Sequence, residues 1–167
     1  MTYDAATQWL EQRGVTLESI AEIVYDLQKP YNDVLQIDHC LESVKAVLRK
    51  REVQYTLMTG IALDVLAERK QLPEPLQSML ASDESLYGVD ETLALGITSM
   101  YGMIGLTSFG YLDKTKIGVL KGLNNSKSHV HVFLDDLVAG IAAAASSRIA
   151  HQNENANIYP SYDRLIP

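Results

Sequence analysis

The stretch that decides the fold is "HVFLDDLVAGIAAAASSRIA", residues 131–150. It is apolar nearly all round, and this pattern predicts a helix that is buried on every side. Two adjacent carboxylates, Asp135 and Asp136, nevertheless stand near its beginning. Burying an unpaired carboxylate is costly, and neighbouring like charges also repel each other. A helix N-terminus accounts for one acid but poorly for two, since the apolar run already begins at Val130. We therefore interpret the pair as held for a metal rather than for the fold.

The neighbours of this pair refine the interpretation. Adjacent residues on a helix point about 100° apart, so one carboxylate can enter a site while the other binds a neighbouring group or a second metal. Gly140 follows Asp136 by one helical turn. Because glycine has no side chain, this spacing predicts that another helix comes close beside the carboxylate.

Helical periodicity also dominates the first half of the chain. The first two amphipathic patterns end at Gly14 and at Pro30. The third pattern has Asp38 as its expected N-cap. The fourth predicts a helix from about Arg51 to about Gln71, and a short helix follows it.

These patterns predict an all-α fold. We expect a single-domain multi-helix bundle over residues 1–152, in which polar amphipathic N-terminal helices surround a more apolar C-terminal helical pair. Residues 153–167 are predicted to form a polar C-terminal tail.

Composition narrows the function classes. The 167 residues carry a formal net charge of -7, which argues against a nucleic-acid partner because such proteins present a basic face to phosphates. The one cysteine, Cys40, rules out a disulfide within the chain and fits a packed thiol in a reducing compartment. No stretch approaches the ~18 uncharged apolar residues of a membrane-spanning helix. We expect a cytoplasmic protein, with a peripheral position at the membrane as an alternative, and apolar stripes on short helices favour a homo-oligomer.

Acidic residues recur in apolar surroundings in the second half of the chain. Besides the pair at 135 and 136, they are Asp83, Glu84, Asp90, Glu91 and Asp113. Three such clusters predict a shared site, and a divalent cation is the simplest means of holding carboxylates together. Hard oxygen ligands favour Mg²⁺, with Mn²⁺ or Ca²⁺ as competitors. Zinc is disfavoured because His129 and His131 lack a convincing set of partner ligands.

A lysine near these acids indicates phosphate chemistry. Asp113 and Lys116 lie three residues apart and would share one face of a helical turn. A carboxylate for a metal beside a lysine for an anion is what phosphoryl transfer needs, although a surface ion pair has the same spacing. Glu52 and Asp64 stand in an apolar helix, where each is either a solvated flank, an internal pair or a further site residue.

The order of these motifs resembles the bacterial phosphatidylglycerophosphatase A family. The matching segments are "VDETLALGI", "YLDKTKIG" and "VFLDDLVAGIAAA", and with the acidic lead-in at Asp83 they cover residues 83–148. The whole chain looks closer to a soluble branch in Gram-positive bacteria, sometimes labelled a low-temperature-requirement protein. Ile117 stands where the family has proline, and the family's N-terminal apolar segment has no counterpart.

The resemblance implies an Mg²⁺-dependent phosphatase that converts phosphatidylglycerophosphate to phosphatidylglycerol. The catalytic residues that it implies are Asp90, Glu91, Asp113, Lys116, Asp135 and Asp136. The metal ligands that it implies are Asp83, Glu91, Asp113, Asp135 and Asp136. The binding partner that it implies is a phosphate monoester substrate, which could be a phospholipid at a membrane surface. The alternatives are a phosphatase for a soluble phosphate ester and a non-catalytic stress or membrane-associated binding protein.

The glycine-spaced apolar stretch "LALGITSMYGMIGLTSFGY", residues 93–111, lies between two of the acidic clusters. We expect it to line or flank the site and to take a glycerolipid. The alternative is that it forms a core helix of the bundle.

Overall fold

The computed structural model describes residues 1–152, and within this range it contains α-helices and two short 3₁₀ turns but no strand. The all-α prediction is confirmed, while the predicted tail at 153–167 lies outside the described residues. The helices are α1 (Thr2–Gln12), α2 (Leu17–Gln28), α3 (Ile37–Leu48), α4 (Arg51–Glu68), α5 (Leu76–Ala81), α6 (Val89–Thr98), α7 (Gly102–Thr115), α8 (Val119–Asn124) and α9 (Leu134–Gln152).

Helix α9 is the centre of the bundle. Every residue from Leu134 to Ser147 is buried, as the sequence predicts, and α9 packs against α2, α3, α4, α6, α7 and α8. Helices α2 and α3 contact α9 and bury one apolar stripe each, which in α3 includes Val44 and Val47. Burial of one such aliphatic side chain contributes about 1.5–3 kcal/mol, so the shared contact with α9 accounts for the joining of these helices into one core.

Helices α6 and α9 run parallel in close contact. A side chain at Gly140 of α9 would place its Cβ 3.2 Å from the carbonyl oxygen of Ala94, so the glycine does allow the close approach that the sequence predicts. Further along, the Ser147 hydroxyl donates a 2.7 Å hydrogen bond to the Tyr101 carbonyl, a partner 46 residues earlier. Gly140 and Ala94 are also 46 positions apart, so the two helices keep one register along the contact.

Local details differ from the sequence predictions at two helix ends. The Asp38 N-cap prediction is wrong, because α3 already begins at Ile37 and Asp38 lies in its first turn. Helix α4 ends at Glu68 rather than near Gln71, since the chain adopts a left-handed conformation at Lys70 (φ 56°).

The apolar segment Val89–Thr115 corrects the expectation that no stretch is suited to a membrane. This segment comprises α6, a 3₁₀ turn and α7, and by length and composition it qualifies as one membrane span among residues 1–152. Only 28% of its most apolar window is buried. The expectation failed because it required an unbroken run of apolar residues, whereas uncharged polar and small residues are spaced along this segment.

Candidate functional site

Two carboxylates of α4 hold the beginning of α9. Asp64 is fully buried and accepts hydrogen bonds from the backbone N–H groups of Phe133 (3.1 Å) and Leu134 (3.0 Å). Glu68, one turn further along α4, accepts a 2.8 Å hydrogen bond from the Val130 N–H. Since the first N–H groups of a helix have no partner within the helix, Asp64 acts as an N-cap supplied by another helix.

Charge is balanced differently at these two carboxylates. Glu68 is paired with the buried guanidinium of Arg13, which also donates to the Val130 carbonyl. Burial raises the pKa of Asp64 to about 7, although the two backbone donors act in the opposite direction. Both contacts fix the start of α9 immediately before Asp135 and Asp136, so they determine where this acid pair lies.

The first turns of the parallel helices α6 and α9 bring two acid pairs together. Asp90 and Glu91 lie in the first turn of α6, and Asp135 and Asp136 lie in the first turn of α9. One carboxylate oxygen each from Asp90, Glu91 and Asp136 lies within 4.8 Å of the other two. Both helices direct the positive end of their dipole towards this group of carboxylates, which favours negative charge at the site.

The carboxylates at this place lack sufficient neutralising charge. Burial is the largest cause that raises the pKa of Asp135, and burial followed by repulsion from Asp135 raises the pKa of Asp136. Burial and the adjacent Asp90 likewise raise the pKa of Glu91. The Asp90 Oδ1 atom is buried and has no hydrogen-bond partner within residues 1–152. Such an orphaned carboxylate oxygen among acids is suited to a cation.

Lys116 supplies the positive charge closest to α9. Its ammonium lies 2.8 Å from Asp113 Oδ1, 2.9 Å from Asp135 Oδ2 and 3.3 Å from Asp136 Oδ1. Burial lowers the pKa of Lys116, but the neighbouring carboxylates outweigh this effect and the net shift is upward. The residue ends α7 in a left-handed conformation (φ 47°, ψ 52°), which is uncommon outside glycine and directs the chain out of the helix at this point.

A cavity of about 170 Å³ adjoins the acid cluster and has Asp135 in its wall. Asp83, which the sequence marked as a metal ligand, lines this cavity but is not part of the group formed by Asp90, Glu91 and Asp136. His131 also lines it, and its Nδ1–H donates a 3.2 Å hydrogen bond to the Leu123 carbonyl. The structure therefore places Asp83 at the edge of the site.

The other predicted residues divide between two arrangements. Glu91 and Asp136 lie with Asp90 in the group that could hold a metal, while Asp113 and Asp135 contact Lys116. Asp136 belongs to both arrangements. Glu52 is exposed at the start of α4, which leaves it a solvated flank.

Sequence reasoning left the role of Asp64 open, and the structure shows it to be the cap of α9. It assigned no role to Glu68 or Arg13. The one signal for Asp64 was an acid within an apolar helix.

The chain is similar to known proteins over most of its length. The family model described as "PgpA: Phosphatidylglycerophosphatase A" matches residues 6–151. Among curated proteins of Bacillus subtilis (strain 168), the uncharacterised protein YutG is 58% identical over 144 residues, covering 86% of this chain and 87% of its own length. The uncharacterised protein YpjQ is 53% identical over 152 residues, covering 91% and 86%. The crystal structure of the low temperature requirement C protein from Listeria monocytogenes has a TM-score of 0.88 and 52% identity, covering 90% of this chain and 96% of that one.

Proposed function

The chain belongs to the phosphatidylglycerophosphatase A family, and we propose that it is an Mg²⁺-dependent phosphatase acting on a phosphate monoester, in the first place phosphatidylglycerophosphate. The observation that carries this proposal is the meeting of Asp90, Glu91 and Asp136 beside the ammonium of Lys116. Carboxylates that crowd within 4.8 Å and a lysine next to them are the donor set of a metal-assisted phosphoryl-transfer site.

The residues present fit Mg²⁺. The group of three offers only carboxylate oxygens, which this hard cation prefers, and the buried Asp90 Oδ1 needs a partner. Asp90, Glu91 and Asp136 would hold the ion. When bound, it would neutralise phosphate oxygens and lower the pKa of a water molecule.

The chain's own residues supply the remaining functions. The N-termini of α6 and α9 stabilise the negative charge of a phosphate at this place. Asp135, which stands outside the group of three and whose pKa is raised by burial, would accept the proton of the attacking water. None of the six sequence-predicted residues is a hydroxyl or thiol, and their carboxylates either contact Lys116 or belong to the group that would hold the metal, so the proposed reaction is a direct attack by water on phosphorus.

The exposed apolar segment next to the site supports a lipid substrate at a membrane surface. Large apolar side chains of α6, α7 and the turn between them are exposed, including Leu95 (40%), Met100 (41%) and Met103 (73%). The same segment carries Asp90 and Glu91 at its beginning and Asp113 near its end. A phospholipid whose acyl chains lie along this segment would present its headgroup phosphate to the acid cluster. We accordingly propose a cytoplasmic protein that acts peripherally at the bilayer.

The proposal is tested by phosphate release from phosphatidylglycerophosphate in mixed micelles and from glycerol 3-phosphate in solution, each with Mg²⁺ and with a chelator. We expect release from the lipid with Mg²⁺ only. A preference for glycerol 3-phosphate would exclude the lipid and leave a phosphatase for soluble esters. If neither substrate is hydrolysed, the proposed activity is refuted and the result favours the alternative of a non-catalytic binding protein.

A further inference from the structure

The hydrogen-bonding capacity of Lys116 is fully used in the structure. A lysine ammonium has three N–H donors. Three acceptors lie within 3.3 Å of it, one on each of Asp113, Asp135 and Asp136. The side chain is only 19% exposed. A phosphate oxygen therefore finds no free donor on Lys116 unless one of these contacts is given up.

Asp136 connects the lysine with the place of the metal. Its carboxylate accepts from Lys116 at 3.3 Å, the longest of the three contacts. The same carboxylate belongs to the group formed with Asp90 and Glu91. Lys116 and a divalent cation would consequently share the negative charge of one carboxylate that is only 5% exposed, and because the two cations repel each other, each would weaken the contact of the other with Asp136.

We propose that the metal releases Lys116 to the phosphate. In the metal-free protein the lysine is the counter-ion of Asp113, Asp135 and Asp136 and is not available to the substrate. A cation held by Asp90, Glu91 and Asp136 would weaken the longest of the three contacts and so free one N–H of Lys116 for a phosphate oxygen. This inference rests on the proposed function of the site and adds an order to it, in which the metal binds first and the phosphate second.

Removal of the lysine charge should change the affinities for Mg²⁺ and for phosphate in opposite directions. In Lys116→Met the metal has no competitor for Asp136, so Mg²⁺ should bind more tightly. Phosphate should bind more weakly to the Mg²⁺-loaded variant, because the donor is missing. The factor by which Mg²⁺ raises phosphate affinity should thus fall by about tenfold, within the usual range of coupling between two sites.

The experiment is isothermal titration calorimetry of the whole chain with Mg²⁺, and with inorganic phosphate in the presence and absence of saturating Mg²⁺. Lys114→Met is the matched control, since it removes the same charge two residues away at an exposed position. Asp113→Ala is a second variant, at a side chain that is 39% exposed and outside the group of three. It removes one acceptor, so phosphate should bind to it more tightly than to the wild type without metal.

The outcomes separate this inference from the proposed function. Tighter Mg²⁺ and weaker phosphate binding in Lys116→Met, with Lys114→Met like the wild type, support it. If phosphate binding to the Mg²⁺-loaded protein is unchanged in Lys116→Met, the lysine is a counter-ion only and the inference is wrong while the metal site stands. Equal weakening of phosphate binding with and without Mg²⁺ would also overturn it. A wild type that binds no Mg²⁺ would refute both the inference and the proposed function.

Discussion

Replacement of Asp64 by alanine tests whether α4 holds the acid pair of α9 in place. The change would leave the N–H groups of Phe133 and Leu134 buried without their acceptors. Each such group costs about 1–3 kcal/mol, and the loss of an N-cap costs about 0.5–2 kcal/mol in other helices. We expect the free energy of unfolding at pH 5 to fall by about 2–4 kcal/mol, which corresponds to about 5–15 °C in Tm for a chain of this size.

The pH dependence of this loss follows from the pKa of Asp64. Burial raises that pKa to about 7, above the ~3.9 of an unfolded chain, so the folded state binds more protons between these values. The stabilisation by Asp64 is then complete below about pH 4 and is lost as the pH rises to about 7. The difference between wild type and Asp64→Ala should narrow by about 2–3 kcal/mol between pH 5 and pH 8.

The assay is urea unfolding followed by circular dichroism at pH 5, 6, 7 and 8. Glu52→Ala is the control, because Glu52 is an exposed acid on the same helix. A loss below about 0.5 kcal/mol at pH 5 would refute the role of Asp64 as a cap. A difference that widens with pH would show that the two backbone donors outweigh burial and that the carboxylate is ionised in the folded protein.

Three further predictions concern the site and the core. Asp136→Asn removes a buried carboxylate whose pKa is raised, so the Tm of the variant without metal should equal or exceed that of the wild type. The variant should lose both the phosphatase activity and the increase in Tm that Mg²⁺ gives the wild type. A large loss of stability without metal would mean that Asp136 is structural. Gly140→Leu should lower both Tm and activity because its side chain meets the backbone of Ala94. Gly96→Ala lies inside α6 and meets nothing within 4 Å, so it should leave the activity unchanged and should not lower Tm. Normal activity in Gly140→Leu would show that contact between α6 and α9 is not needed. The thiol of Cys40, whose pKa is raised to about 11 by burial, should react with a disulfide reagent at pH 8 only as the protein unfolds, and rapid reaction of the folded protein would contradict its burial.

Short-range patterns explain why the all-α class and the central helix could be predicted. The apolar pattern on all sides of the helix at residues 131–150 and the glycine at 140 are local features of the sequence. Both correspond to packing that the structure shows. The proximity of Asp90 and Asp136 is harder to predict from the sequence. It depends on the parallel register of α6 and α9, for which the sequence offers only a glycine on one helix.

Partners distant in the chain could not be predicted. Asp64 caps a helix that begins about 70 residues later, and nothing near it in the chain distinguishes a cap from a solvated acid. Lys116 was expected to pair with Asp113, but its contacts with Asp135 and Asp136 depend on how α7 packs against α9. The exposure of Met103 could not be predicted either, because apolar composition alone does not distinguish a core helix from one that faces outwards.

The position of α9 in the chain has a consequence for biosynthesis. The ribosome completes this helix after α1–α8, yet it is the helix against which most of them bury their apolar stripes. A nascent chain that has not reached residue 134 therefore lacks the helix that fills the centre of the core, and the apolar side chains that α9 covers remain open to chaperones. Since domains fold as units, we expect the acid cluster to form in one step, when α9 has left the exit tunnel.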